Sequence, residues 1–366
     1  MEILKNYTKL LLIGSLFLSM SACKKDNVEV PVEQVEINIP GTVSMIYGEQ
    51  QDITLPANVL GAQDVQITLD FSQNENVKVN AKESLNDKLS AAVTIDKNSG
   101  KIHLNSSLLY VNGTISGTNG AKLPDYFKVV VNASSVSKSF QGKQTINLKI
   151  SPAKLSVKGL DNQAAIPVAY VLYGDAANFE LEFSKSSLTG MTWGIENQSS
   201  IGAEVSLNAN ILKFATSSGD PSRKVEKAFN VTPSLQKDGF VVASTAFRVI
   251  FIPRIKFFFG TYYPDYDLTI LLNNLHIGLS NGYVSAAPTL SPEGYKSTFA
   301  IIGIKKDSQV FNDIDALFSI NEKTGSVTLK KNSSLTAGAY EITVKAITTT
   351  GLEFLTTLTL NMSKVE

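Results

Sequence analysis

Apolar and polar residues alternate with a period of two along much of the chain. Ile146, Leu148 and Ile150 alternate with Asn147 and Lys149; Ile342, Val344 and Ala346 alternate with Glu341, Thr343 and Lys345; Leu358, Leu360 and Met362 alternate with Thr359 and Asn361. Successive side chains on a strand point to opposite faces, so each stretch predicts a strand with one buried face in an antiparallel sheet. Asn112-Gly113 and Asn281-Gly282 sit between β-prone residues and suit tight hairpin turns. No long helical pattern is present, although Asn80 to Leu89 can hold a turn or two of helix. One segment breaks the alternation: a short, continuous apolar run from Leu10 to Met20.

The pattern repeats. Val93 to Leu104 (VTIDKNSGKIHL) matches Phe318 to Leu329 (FSINEKTGSVTL), and a Ser-Ser-Leu follows in both, ending at Leu108 and Leu335. Phe127 to Ala133 matches Tyr340 to Ala346, and the spacing leaves room for one further copy between. That copy is degenerate: Val205 to Phe214 supplies its strand pair and Phe240 to Ile252 its closing strands. A second landmark links the first two copies, because Tyr47-Gly48-Glu49 precedes Ile53-Thr54-Leu55 and Tyr173-Gly174-Asp175 precedes Phe179-Glu180-Leu181. Junctions fall at Ser151-Pro152 and Ile252-Pro253, where proline ends a strand because it cannot donate to a ladder.

The segment Phe318 to Leu329, then Leu335, then Gly338 to Ala346 resembles the core of a cadherin-type β-sandwich repeat. Asn321 can open its turn, Gly325 supplies a positive φ, and Gly100 is expected to do the same in the first copy. The resemblance implies a fold and says little about function. The calcium sites of cadherins lie in acidic linkers. The junctions here, Lys149 to Ala153 and Phe251 to Arg254, carry no acidic residue, so those sites do not carry over.

The apolar run changes the picture at the N-terminus. Lys5 and Lys9 give it a positive flank, it is too short to span a bilayer, and the small residues Ser21 and Ala22 precede Cys23. Met20-Ser21-Ala22-Cys23 resembles the bacterial lipobox, with Met where Leu is usual. The resemblance implies cleavage before Cys23 and acylation of its thiol, including a palmitate-type chain. Cys23 is the single cysteine of the chain, so the remainder has no disulfide and must fold by burying apolar surface. No second apolar run is long enough to cross a membrane, so the lipid is the expected attachment. Lys24-Lys25-Asp26 follows the cysteine without an Asp directly after it. This charged tract resembles the surface-export signals of glycan-utilisation lipoproteins and implies an outer-membrane, surface-exposed location, with a periplasm-facing one left open.

Lysine plus arginine equals aspartate plus glutamate at 33 each, which argues against a nucleic-acid partner. Two distant histidines, His103 and His276, and no further cysteine leave no transition-metal set, and no cofactor is expected. Gly278-Leu279-Ser280-Asn281-Gly282 spells the G-x-S-x-G of a hydrolase elbow, but it lacks the strand-to-helix context and reads better as a β-turn. Asp265 with Asp267, and Asp313 with Asp315, are acidic pairs in expected loops that can serve a hard cation or simply face solvent. The aromatic segment Phe257 to Asp267 (FFFGTYYPDYD) has two readings. Its rings can be core or interface, or Tyr262, Tyr263 and Tyr266 can leave the sheet at Gly260 and Pro264 to stack on a sugar, with Asp265 or Asp267 fixing orientation. Trp193 reads as core, with a sugar-lining role as its alternative.

The expected architecture is all-β: a signal peptide (1–22), a lipidated tether (23–34) and three tandem Ig-like or cadherin-like β-sandwiches (35–153, 154–254 and 255–366). The expected function is that of a non-catalytic, surface-anchored binding lipoprotein whose ligand is a glycan. The alternative is a structural or adhesive stalk that contacts another envelope protein.

Overall fold

The computed structural model describes residues 32–61, 64–136, 140–219 and 225–364. The leader, Cys23 and most of the expected tether lie outside the described residues. The chain divides into two compact units, residues 1–151 and 152–366. Both are β-sandwich structures of the Ig-like and cadherin-like kind, with few and short helices among the described residues.

The first unit contains β1 (Glu33–Gln34), β2 (Thr42–Ile46), β3 (Gln50–Thr54), β4 (Val65–Asp70), α1 (Leu85–Ala92), β5 (Val93–Asp96), β6 (Lys101–Asn105), β7 (Phe127–Ser135) and β8 (Phe140–Ser151). One sheet runs β1-β8-β7-β4 with β2 also on β8, and the other runs β3-β6-β5. The alternating positions face each other across the core: Val43, Ile53, Ile102, Leu104, Val129, Val131, Ile146 and Leu148 are all buried. β1 takes up the last residues of the expected tether, pairing in parallel with Phe140 and Gln141. The helix falls slightly later than the sequence suggests. The Asn80 side chain accepts from the amides of Lys82 and Glu83 and so makes a turn, and Ser84 then caps α1 in a box with Asp87.

The second unit opens with β9 (Ala153–Lys154), β10 (Ser156–Val157), β11 (Val168–Leu172), β12 (Ala177–Glu182), β13 (Met191–Ile195), β14 (Val205–Asn208), β15 (Ile211–Phe214), β16 (Lys227–Val231), β17 (Pro233–Lys237), β18 (Phe240–Ser244) and β19 (Phe247–Ile252). These enclose a buried cluster rich in Phe214, Phe229, Phe247 and Phe251, with the partly buried Phe179 packed against it, and the rings meet edge-on or tilted. The pairings reproduce those of the first unit with two changes, the first being an added pairing of β10 with β12. The long strands β7 and β8 each become two shorter strands, β16 with β17 and β18 with β19, and Pro233 stands at the first break. This break is the physical form of the degeneracy seen in the sequence.

The chain continues through β20 (Lys256–Phe258), β21 (Gly260–Tyr263), β22 (Leu268–Leu271), β23 (Asn274–Gly278), β24 (Tyr283–Val284), β25 (Thr289–Ser291), β26 (Lys296–Lys306), β27 (Gln309–Val310), β28 (Phe318–Ile320), β29 (Val327–Leu329), β30 (Gly338–Thr348) and β31 (Glu353–Ser363). The sheets β23-β31-β30-β26-β27 and β24-β29-β28 close on a second cluster built from Phe318, Val327, Leu329, Tyr340, Ile342, Val344, Leu358 and Leu360. Its hairpin β28-β29 matches β5-β6, and Gly325 and Gly100 both take positive φ, 78° and 63°. A Cβ at Gly100 would lie 2.5 Å from Leu60 Cδ1, and one at Gly325 would lie 2.8 Å from Pro288 Cγ, so space as well as backbone angle selects glycine.

In every copy the first long strand runs parallel to the last: β2 with β8, β11 with β19, β23 with β31. The chain then turns to the other sheet. Tyr47 N–H donates to Ser151 O, Tyr173 N–H to Ile252 O and Leu279 N–H to Ser363 O. Thus Leu279-Ser280 is the third version of the Tyr-Gly landmark, with Ser280 at φ 71° where Gly48 and Gly174 stand at 91° and 81°. Asn281-Gly282 is consequently not a hairpin, because β23 and β24 belong to different sheets. Asn112-Gly113 likewise lies in the loop before β7, where the Asn112 side chain accepts from Ile150 N–H at 2.6 Å and pins that loop to β8.

Candidate functional site

The aromatic segment builds a feature with no counterpart at the matching point of the other copies. Phe259 goes into the core at 2% exposure. Gly260 follows at φ 145°, where a Cβ would lie 2.0 Å from the Ile270 carbonyl oxygen, so only glycine lets β21 and β22 close here. The two strands pair antiparallel as a sheet of their own, joined by a single 3-10 turn over Pro264–Tyr266 and by Asp267 in the left-handed region. Leaving the core exposes nearly all of this hairpin. Tyr263 is 45% exposed and Tyr266 82%, and Leu268, Ile270, Leu271 and Leu272 are exposed as well.

Alternation along β21 separates the tyrosines. Tyr262 is half-buried and its hydroxyl donates to Asp267 Oδ1 at 2.8 Å. Lys256 Nζ pairs with the same carboxylate and sits 4.1 Å from the Tyr262 ring centroid, a cation–π contact. The hydrogen bond to Asp267 holds the Lys256 ammonium above the ordinary lysine range. Asp267 is therefore engaged within the protein. Tyr263, Asp265, Tyr266 and Asp267 are all exposed, so of the five residues singled out from the sequence only Tyr262 turns inward.

Tyr262 faces a pocket of roughly 570 Å³ lined by Tyr173, Gly174, Thr216, Ser218, Pro253, Arg254, Lys256, Tyr262, Pro264, Ser291 and Pro292. Among the described residues two cations line it and no carboxylate does. Arg254 Nη2 donates to Asp175 Oδ1 at 2.9 Å, and Gly174 leaves room for the guanidinium, which a Cβ there would approach to 3.3 Å. The Tyr173 hydroxyl is buried and has no hydrogen-bond partner among the described residues. Close by, burial and then the hydrogen bond to Glu226 push the Tyr295 phenol well above its usual value. Sequence reasoning singled out Tyr262 but not Tyr173, Arg254 or Lys256. The signal was present in the repeated Tyr-Gly turn, which reads as a structural landmark until its position beside the junction is known.

The remaining candidates are accounted for locally. Both oxygens of Asp313 accept backbone amides, from Leu317 and Phe318, so this carboxylate shapes a turn. Among the described residues no group of three or more His, Cys, Asp or Glu is placed to hold a metal ion. His103 projects from β6 with Nδ1 2.6 Å from Asp52 Oδ1, and His276 is exposed on β23. Ser280 is followed by a strand rather than the helix of a hydrolase elbow. Trp193 packs, partly buried, against the phenylalanine cluster.

Comparison with known proteins bears on the last part of the chain. Residues 266–365 match the family model described as "Surface glycan binding protein BT4661-like, N-terminal". No curated protein matches the chain. Solved structures with similar build include Drosophila OTK extracellular domains 3–5 (13% identity, TM-score 0.29, covering 92% of this chain and 100% of that one). Sidekick-1 immunoglobulin domains 1–4 show 9% identity and TM-score 0.29 over 90% of this chain and 74% of theirs. Drosophila N-cadherin EC1–3 shows 11% identity and TM-score 0.26 over 92% and 99%. What the chain carries is thus a β-sandwich stretch similar to the N-terminal Ig-like part of surface glycan binding proteins.

Proposed function

We propose that this protein is a non-catalytic binding lipoprotein of the outer membrane, anchored through Cys23 and displayed at the cell surface, and that it takes a glycan at the hairpin Gly260–Leu271. The observation that carries the reading is the exposure of Tyr266 and Tyr263 beside Asp265, on a hairpin unpaired with any other sheet. A tyrosine left in water presents a flat apolar face to the C–H side of a sugar ring, and a neighbouring carboxylate accepts its hydroxyl protons. The match of residues 266–365 to a surface glycan binding family supports the same reading. The architecture we propose is a tether and three sandwiches with junctions near residues 153 and 254. Limited proteolysis cutting at both places would agree with it, and a single uncut core would not.

The test is a glycan array with the full-length protein and with a Tyr263→Ala, Tyr266→Ala double variant. Binding by the parent, lost in the variant at unchanged melting temperature, is the expected result. A parent that captures no glycan, or a variant that captures as well as the parent, defeats the reading. Palmitate labelling abolished by Cys23→Ala is the expected result for the anchor, and persistent labelling defeats it. One observation favours a second reading, a stalk that contacts another envelope protein: the exposed Leu268, Ile270, Leu271 and Leu272 make the hairpin's other strand apolar. Crosslinking at Leu271 to one envelope protein, with an empty glycan array, selects that reading.

A further inference from the structure

We infer that the pocket behind the hairpin holds a sugar unit bearing a carboxylate, making the preferred ligand an acidic glycan. This rests on the glycan reading and assigns its chemistry to residues that the exposed tyrosines do not include. Three features converge. The lining combines apolar walls, from Pro253, Pro264, Pro292 and the Tyr262 ring, with the hydroxyls of Thr216 and Ser291. That mixture suits a pyranose, which has C–H faces and polar edges, and the volume lies in the range of small-molecule sites.

The charge around the pocket is arranged with a direction. Arg254 and Lys256 line it, while the carboxylates that steady them, Asp175 and Asp267, do not. Each cation is thus held by a carboxylate that is not part of the lining. Arg254 spends one N–H on Asp175, and a guanidinium has five in a planar fork that matches a carboxylate. Both cations already carry a carboxylate partner, so what they offer a ligand is unused N–H donors rather than net charge.

The third feature is the Tyr173 hydroxyl. Tyr173 is 6% exposed and lines the pocket, and its oxygen is buried without a partner among the described residues. Leaving a buried hydroxyl unpaired is unfavourable, and a ligand hydroxyl or carboxylate entering beside it would supply the missing bond.

The test is titration calorimetry on the full-length protein with methyl glucuronide and with methyl glucoside. The glucuronide should bind at least tenfold more tightly, about the ratio one charge-assisted hydrogen bond supports. Arg254→Gln should erase that preference. Tyr173→Phe should weaken both sugars about fivefold, the worth of one neutral hydrogen bond, without lowering the melting temperature. Equal affinities, no binding of either sugar, or a preference unaffected by Arg254→Gln overturns the assignment. If the glucuronide fails while Tyr263 and Tyr266 still govern capture on the array, the pocket assignment falls and the hairpin reading stands; if both fail, both fall.

Discussion

Tyr47 and Tyr173 stand at the same turn in two copies of one repeat, and their hydroxyls meet different fates. Each ring is buried where the first long strand leaves the sheet, and each amide donates to the end of the last strand. The Tyr47 hydroxyl donates to Ser107 O at 3.1 Å. That carbonyl is supplied by a single 3-10 turn, Ser106–Leu108, which follows β6. In the second copy the chain after β15 turns differently and brings Gly219 to the tyrosine. A Cβ at Gly219 would lie 2.5 Å from the Tyr173 ring, so the backbone packs against the ring, and among the described residues no carbonyl meets its hydroxyl. The fold needs the ring in both places. It needs the hydroxyl only in the first, and the second retains one beside a pocket.

The largest expected effect tests the shared role. Tyr47→Ala and Tyr173→Ala should each cost about 3–5 kcal/mol, as for other buried aromatics truncated to alanine, and denaturant melts of the two variants would show it. A much smaller loss at either site would mean that the two turns are not equivalent. Next, Gly219→Ala should cost about 1–3 kcal/mol, since its φ of 115° and the ring contact both disfavour a side chain. It should also displace the Tyr173 ring and reduce sugar binding at the pocket. A smaller effect sharpens the contrast. Tyr47→Phe should lose about 0.5–1.5 kcal/mol with its hydrogen bond, whereas Tyr173→Phe should melt at or above the parent temperature. Equal losses would show that Tyr173 has a partner after all.

The smallest effect concerns a surface cluster of the first copy, where His103 and Lys101 flank Asp52; the third copy has Thr328 in place of His103. The hydrogen bond to His103, then that to Lys101, holds the Asp52 carboxyl below its ordinary 3.8. A depressed carboxyl pKa contributes stability above the unfolded value and loses it as pH falls through the folded one. The stability difference between the parent and Asp52→Asn should therefore shrink as the pH falls below about 4. A difference that grows on acidification would contradict the pairing.

Much of the fold was legible because period-two burial and left-handed glycines are local signals. Ile146, Leu148 and Ile150 announce their face, and Gly100 and Gly325 announce their turns. The third Tyr-Gly landmark was not legible. Leu279 can fill the ring's place, and Ser280 accepts a positive φ despite its side chain, so neither residue type survived as a marker. The hairpin turn was foreshadowed by Gly260 and Pro264. The division of its tyrosines was not, because it depends on Lys256 and Asp267 converging on Tyr262 from either end of the segment. The pocket was the least readable feature: Tyr173, Thr216, Arg254 and Ser291 are far apart in sequence, and no single local pattern contains them.

The parallel pairing of first and last strands has a mechanical consequence. In each copy five residues of the opening strand lie in register with the closing one: Thr42–Ile46 with residues 147–151, Val168–Leu172 with 248–252, Asn274–Gly278 with 359–363. Tension along the chain enters at the start of one strand and leaves at the end of the other. In a parallel pair these points lie at opposite ends, so the load shears every hydrogen bond of the ladder together instead of peeling them one by one. Each copy should therefore resist stretching far better than its modest sheets suggest, which suits a chain that holds onto something while being pulled.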